Sequence, residues 1–432
     1  MKGETRTALS GTAATCTVIG LARFAYVPLF PAMVAAGWVD GAEAGLLGAL
    51  NLTGYLIGVG GVRALARRVS VPRALDMGMA FAMLAFAACA WHGGLAWLGF
   101  WRFLAGISGG MLMGLAGPSV QAVTPPERRG RAGGLVLFGV GGGIILGALL
   151  VPLLLQGGVA AAWLGLAGVA LVLWLVMRPH WPRPPAAETA PEGSAPPALG
   201  IIIAYALSGA GLVPPMLYLS DLAARGRGLG VELGAGMWVL FGLGCIAGAL
   251  VGGRAVDLWG GRRAILLWMV IQSIALSLAL PQALWVLVPL GLVSGFAALG
   301  ITTVALAAAR ERAGALAGVI WVRVTAGFAV AQALAGFALA ALFRVTDESH
   351  AAVFAAGLLL SLAGLIVAWA EWRWRWNCSG PSARDQPAGL FPRGALAGDK
   401  GGNAIGPDFL DPRAFLLRVF ESRAVNHRIG IE

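Results

Sequence analysis

Apolar residues run through this chain in long unbroken blocks, without the alternation of strands or the narrow stripe of a surface helix. A helix needs about 20 apolar residues to cross a bilayer core. That length predicts twelve spans, near residues 8–36, 43–64, 73–92, 95–122, 132–156, 159–177, 199–221, 232–255, 263–281, 283–308, 314–343 and 350–371. The connections are short, with one exception. Arg178–Leu199 holds Pro179, Pro182, Pro184, Pro185, Pro191, Pro196 and Pro197 and reads as a flexible linker. The expected organisation is therefore a six-helix bundle at 1–178, a linker at 179–198 and a second bundle at 199–376. Residues 377–432 are polar and rich in Gly, Pro and Arg, a composition that favours disorder. Only Arg413–Val425 there has a weak amphipathic pattern.

Composition sharpens this picture. The chain of 432 residues is 58% hydrophobic and 12% charged, where a soluble domain is nearer a quarter charged. Its 65 glycines lie mostly inside the apolar runs, which suggests closely packed membrane helices. Lys2 and Arg6 precede the first run, but that run is too long for a signal peptide and lacks a small-residue cleavage site. An uncleaved first span is expected. Cys16, Cys89, Cys245 and Cys378 have no metal-ligand or redox spacing. The four histidines, His92, His180, His350 and His427, fall at loops or in the tail. No nucleophile triad or metal cluster is readable, so an enzyme is not expected, nor any cofactor or metal.

The net charge of +11 would suit nucleic acid, but its distribution points elsewhere. With twelve spans, one face collects 18 of the basic residues and the other only Arg225, Arg227 and Arg344. Such asymmetry places the arginine-rich face in the cytoplasm. Both termini are then inside, and an inner-membrane location is expected. Trp38, Trp91, Trp97, Trp163, Trp238 and Trp285 fall near span ends on the arginine-poor face, where an aromatic belt would sit.

The two halves repeat weakly. Gly60-Gly61 ends the second span and Gly252-Gly253 the eighth. Arg129-Gly-Arg-Ala-Gly133 before the fifth echoes Arg310-Glu-Arg-Ala-Gly314 before the eleventh. Duplicated halves are a transporter architecture.

Gly253-Arg-Ala-Val-Asp257-Leu-Trp-Gly260-Gly-Arg262-Arg263, between the eighth and ninth spans, resembles the loop signature of the major facilitator superfamily. Arg102-Phe-Leu-Ala-Gly106 resembles that superfamily's Arg-x-x-x-Gly motif. The run Gly20-Leu-Ala-Arg23-Phe-Ala-Tyr26-Val-Pro28-Leu-Phe-Pro31 is similar to the YbfB/YjiJ-like branch. The resemblance covers about residues 8–372. It implies an all-α fold of two six-helix bundles working by alternating access, with spans one, four, seven and ten lining a central cavity. It also implies that Asp257 faces the positive N-terminus of the fifth span, with Gly253 allowing close helix approach and Gly260, Arg262 and Arg263 shaping a conformational switch. The first half departs from this pattern. Leu65 stands where an aspartate is expected, and Asp76 is the available substitute. The fifth span carries only a degenerate antiporter motif, Gly139, Gly143 and Gly147 with Pro152 displaced.

Arg23, Arg102 and Arg323 fall within spans one, four and eleven, while no Asp or Glu is read deep in any span. The cavity is therefore expected to be electropositive and to suit an anion. Arg23 and Tyr26 are three residues apart and would share a helix face, just before Pro28 and Pro31 as a hinge. Asn51, Tyr55, Tyr205 and Gln332 complete the candidate substrate site. The expected activity is secondary transport of a small organic anion or amphipathic metabolite by a monomer in the lipid bilayer, with a proton or sodium as possible coupling ion. A proton-coupled drug or metabolite efflux permease and a non-transporting sensor or scaffold stay open as alternatives.

Overall fold

The computed structural model describes residues 2–125, 128–184, 199–313 and 317–378. Most of the 179–198 linker and nearly all of the 377–432 tail lie outside these residues. The described chain is almost entirely helical and packs as one compact unit. Its spans are Gly3–Ala35, Gly41–Val62, Val71–Cys89, Gly94–Ala122, Arg131–Leu155, Gly158–His180 and Leu199–Gly226, then Gly230–Ser277, Leu284–Ala309, Arg323–Val345 and His350–Glu371. Gly230–Ser277 is 48 residues long and contains both the eighth and ninth spans, divided where Gly260 leaves the helix at φ 76°, ψ 158°. The twelve expected spans are thus all present.

The repeat recurs in the backbone. The turn between the second and third spans pivots on Ser70 at φ 75°, ψ 152°, nearly the conformation of Gly260 at the matching turn of the second half. Glycine adopts it freely; serine holds it only because the two flanking helices fix its ends.

Each half is held by backbone-to-backbone packing. Gly54 and Gly58 of the second span face the carbonyls of Phe103 and Ile107 in the fourth. Gly106 and Gly110 in turn face those of Asn51 and Tyr55. In the second half, Gly244 and Gly248 face Leu292 and Phe296, and Gly295 faces Phe241. Lipid offers helices no hydrophobic drive to associate, so such close approach supplies the dispersion contact instead. Gly253 is not part of this: a side chain there would meet open space, and the neighbouring Gly252 makes the contact with the tenth span. One residue is about 100° around a helix, which turns Gly253 away.

The aromatic belt is only partly as expected. Trp91 and Trp285 are 71% and 73% exposed, but Trp163 and Trp238 are 1% and 0% exposed. Nearness to a span end does not say which side of the helix a ring occupies.

Gly106→Val is expected to lower the melting temperature of purified protein markedly, since overpacking against fixed backbone costs about 1–3 kcal/mol or more. Gly60→Ala, with nothing near it, is expected to leave it unchanged. Equal melting temperatures for Gly106→Val and wild type would contradict this packing account.

Candidate functional site

The first span is not one regular helix. An α-helix, Lys2–Thr15, passes into a π-helical turn, Cys16–Leu21, and residues 22–25 continue as widened helical turns, with the Phe24 N–H on the Ile19 carbonyl and the Ala25 N–H on that of Leu21, before regular α-helix resumes at Tyr26–Ala35. The irregularity lies upstream of the expected hinge. Pro28 is the third residue of the resumed helix, where no intrahelical bond is owed to its nitrogen, and Pro31 sits inside it. The seventh span is irregular likewise but stays helical through Leu212, whose N–H donates to the Ser208 carbonyl at 3.0 Å and whose carbonyl accepts from Met216 at 3.2 Å. Pro214 and Pro215 follow, and Leu222–Gly226 is π-helical. Irregular turns leave backbone groups that apolar surroundings cannot satisfy, so side chains must.

This irregularity separates residues expected together. Arg23 and Tyr26 do not share partners: i→i−5 bonds at Ala22 and Phe24 widen the helix here, so regular α-helical spacing does not hold between them. Tyr26 turns into the wall of the first half. Its hydroxyl donates to the Ala44 carbonyl at 2.7 Å and its ring lies 4.2 Å from the Arg102 guanidinium carbon. Arg102, 2% exposed, donates from Nη1 to the Ala22 carbonyl at 2.7 Å and lies 6.0 Å from the Trp163 ring. Asn51 donates to the backbone carbonyl of Arg102 at 3.0 Å. These three residues tie the second and fourth spans to the irregular first span.

Arg23 turns the other way, into the seam between the halves. It donates from Nη2 to Oε1 of Gln332 at 2.9 Å. Its guanidinium carbon lies 5.2 Å from the Phe24 ring and 5.3 Å from the Tyr55 ring. Gln332 is buried and points its amide nitrogen at Sδ of Met216, 3.4 Å away. Tyr205 bonds Thr302 at 3.1 Å and stacks on Phe328, with centroids 4.4 Å apart. Phe328 is one helical turn before Gln332, on the same face of the eleventh span. The seam thus gathers Arg23, Tyr55, Gln332 and Tyr205. Arg323 is not among them: it is exposed, the seventh residue of the helix Ala317–Val345, and makes no hydrogen bond or ring contact with these residues.

Several seam residues escaped the sequence reading. Phe24 packs on Trp238 at 5.6 Å, and Trp238 stacks on Phe241 at 4.3 Å, closing the seam between the first and eighth spans. The signal for Phe24 is its place beside Arg23; Trp238, near a span end, carries the pattern of a belt residue. Asp221, at the end of the seventh span, is fully buried, so a buried carboxylate exists where none was expected.

In the loop signature, Asp257, Arg262 and Arg263 are all exposed. Among the described residues Asp257 makes no ion pair or hydrogen bond. The carboxylate at the ninth span's N-terminus is Glu311, whose Oε1 accepts the Gly261 N–H at 2.5 Å. Asp76 faces its own half: it accepts from Trp174 Nε1 at 2.7 Å and Trp181 Nε1 at 3.0 Å, with Arg178 Nε 3.2 Å away.

Residues 15–368 match the family model described as uncharacterised MFS-type transporter YbfB. The chain belongs to this family of major facilitator transporters. Two relatives, the uncharacterized MFS-type transporters MT3072 and Rv2994 of two Mycobacterium tuberculosis strains, CDC 1551 and H37Rv, are each 33% identical over 153 residues. That region spans 34% of this chain and about a third, 34%, of each relative. The xylose transporter XylE from E. coli, in a partially occluded inward-open conformation, superposes with a TM-score of 0.64 at 12% identity, over 90% of this chain and 100% of XylE. A bacterial homolog of the human lysosomal transporter Spinster, inward-facing and unoccupied, gives 0.60 at 14% identity, over 85% of this chain and 95% of that one. At these identities the likeness is one of fold. The chain's apolar spans pack in the major facilitator manner.

The Arg102 geometry generates a prediction. Arg102→Met leaves the Ala22 carbonyl without its partner, a loss of about 1–3 kcal/mol, and removes the cation over Tyr26. Folded yield and melting temperature are expected to fall, while protein that does fold binds solute normally. An unchanged melting temperature with lost binding would move Arg102 into the substrate site.

Proposed function

We propose that the protein is a secondary transporter of small organic anions, which bind at Arg23 in the seam between the halves. One observation carries this reading. The Arg23 guanidinium sits mid-span, partly buried, with only a neutral amide and aromatic faces around it. Among the described residues no carboxylate pairs with it. An uncompensated charge in apolar surroundings is costly, and an anionic solute would remove that cost. A guanidinium offers a carboxylate two parallel hydrogen bonds, with Tyr55 and Phe24 left to cover the apolar part of the solute. Gln332 comes from the opposite half, so a solute bridging it to Arg23 would feel both halves. Alternating access needs such a site: one that both bundles touch and that each can leave. The two bundles read from the sequence, 1–178 and 199–376, are the moving bodies in this proposal, and the arginine-rich face is the cytoplasmic one.

The test is proteoliposome uptake with labelled carboxylates, sugars and cationic dyes. Carboxylates are expected to be taken up. Arg23→Gln is expected to abolish their binding with the melting temperature held, and Arg23→Lys to weaken it, because lysine keeps the charge but loses the fork. Truncating one member of a charge-assisted pair costs about 2–5 kcal/mol, a loss of more than tenfold. Wild-type affinity in folded Arg23→Gln protein would remove Arg23 from the site. For orientation, a cysteine at Val345 is expected to react with an impermeant thiol reagent added outside intact cells, and one at Leu258 not to react. The reverse pattern would invert the topology.

A further inference from the structure

The arginine-poor end of the seam holds a cluster that the substrate site does not use. Asp221 is fully buried and is gripped by both arms of Arg225, Nε to Oδ1 at 2.6 Å and Nη2 to Oδ2 at 2.7 Å. His350 Nε2 lies 2.8 Å from Oδ2. The remaining arm of Arg225, Nη1, donates to Oε2 of Glu348 at 2.5 Å. Up to this point every member belongs to the second half. The other oxygen of Glu348 crosses the seam and accepts the Gly41 N–H at 2.7 Å. That N–H is the first of the second span, which has no intrahelical partner and stands at the positive end of the helix dipole. Asp40 and Glu43 form a capping box beside it, so this helix start is fixed in place.

Glu348 is held in an unusual backbone. Asp347 and Glu348 both have positive φ, 50° and 60°, which L side chains rarely adopt. The Glu348 N–H donates to the Phe343 carbonyl at 2.8 Å, locking the turn that presents the carboxylate. Beneath the charges lies an aromatic layer. Phe30 of the first half meets Tyr218 at 5.6 Å, Tyr218 meets Phe343 at 5.0 Å, and Phe343 meets His350 at 5.1 Å. The Tyr218 hydroxyl presses on Gly45 of the second span, where no side chain would fit.

We propose that Glu348 and the N-terminus of the second span form the latch of the outer gate, above a plug made by Phe30 and Tyr218. The inference rests on the alternating-access reading. The partition of the cluster supports it. Within this cluster, separating the halves would break the charge-assisted hydrogen bond to Gly41 and the contacts of Phe30 with Tyr218 and with the Arg225 guanidinium, 5.9 Å from its ring, while Asp221, Arg225, Glu348 and His350 move together with their ion pairs intact. No charge is left buried and unpaired on opening, so the large penalty for splitting a buried pair does not arise. At the opposite face Asp257, the carboxylate expected to lock the inner side, is exposed and unpaired among the described residues. The structure therefore has one lock engaged and the other free, as a protein closed outside and open inside requires.

The experiment measures distances by electron spin resonance in the full chain, in lipid nanodiscs, with the four cysteines replaced. One spin-label pair spans the outer ends, at Ala36 and Val345, and another the inner ends, at Val123 and Leu258. Glu348→Ala removes the latch and leaves Arg225 paired with Asp221. It is expected to raise the ratio of outward-open to inward-open protein at least tenfold, about 1.4 kcal/mol, with outer distances lengthening and inner distances shortening together. Gly41→Pro attacks the latch from the other half. Proline suits the first position of a helix, deletes the donated N–H and crowds Glu348, so the same shift is expected should Glu348→Ala fold poorly. Glu232→Gln, an exposed carboxylate elsewhere on the outer face, should change nothing. Unchanged distances in both latch variants would overturn the proposal, as would an outer distance that lengthens while the inner one stays fixed, since that is local loosening and not a gate. Failure of the transport reading looks different: the wild-type inner pair would keep a single distance in the presence of every anion tested.

Discussion

A helix widened inside an apolar protein must have the carbonyls left over satisfied by side chains, and the widened turns at residues 16–25 set the terms for the rest of this structure. Arg102 answers this need from the fourth span by donating to the Ala22 carbonyl, and Tyr26 lies flat beneath that guanidinium. Because the helix is widened there, Arg23 and Tyr26 diverge. One arginine becomes part of the first half's wall, and the other is delivered to the seam with no anionic partner among the described residues.

Rigidity and motion are divided in the same way. Within each half, glycines let the second and fourth spans, and the eighth and tenth, touch backbone to backbone. Such contacts cannot slide without large steric cost, which makes each half stiff. Between the halves the second span packs on the eleventh, with Gly336 against Ala49, and the fifth on the eighth, with Gly242 against Ile145. Around the site the contacts are of other kinds: an amide on a guanidinium, tilted and edge-on rings, one carboxylate on a helix start. These can be exchanged for solute or water at modest cost. Transport of the proposed kind needs this contrast between stiff halves and a yielding seam.

Much of this was legible from residue order. Spacing of apolar runs gave all twelve spans, and the Gly253–Arg263 loop with the Arg23 run pointed to the family that the match over residues 15–368 establishes. Less was legible at the site. Helical periodicity could not place Tyr26, because it presupposes about 3.6 residues per turn and the turns leading to it are wider. Trp163 and Trp238 lie near span ends in sequence yet face inward, since position along a helix does not fix azimuth. Asp221 read as the last residue of its span, where a carboxylate would meet water. Its burial depends on Arg225 one turn on and His350 far along the chain. Glu348 bonds an amide 307 residues away, a pairing that no local pattern encodes. Arg323 read as part of the cavity because it lies within an apolar run, but its side chain is exposed, and position along a helix does not fix its azimuth.

The central claim is that Arg23 recruits negative charge. It is tested most directly by a matched pair of solutes, a transported carboxylate and its neutral primary amide, competing for uptake into wild-type proteoliposomes. The two are nearly equal in size and differ in charge. The carboxylate is predicted to compete at least tenfold better than the amide, a difference of about 1.4 kcal/mol. Equal competition by the two would contradict the account, because the site would then read shape and not charge.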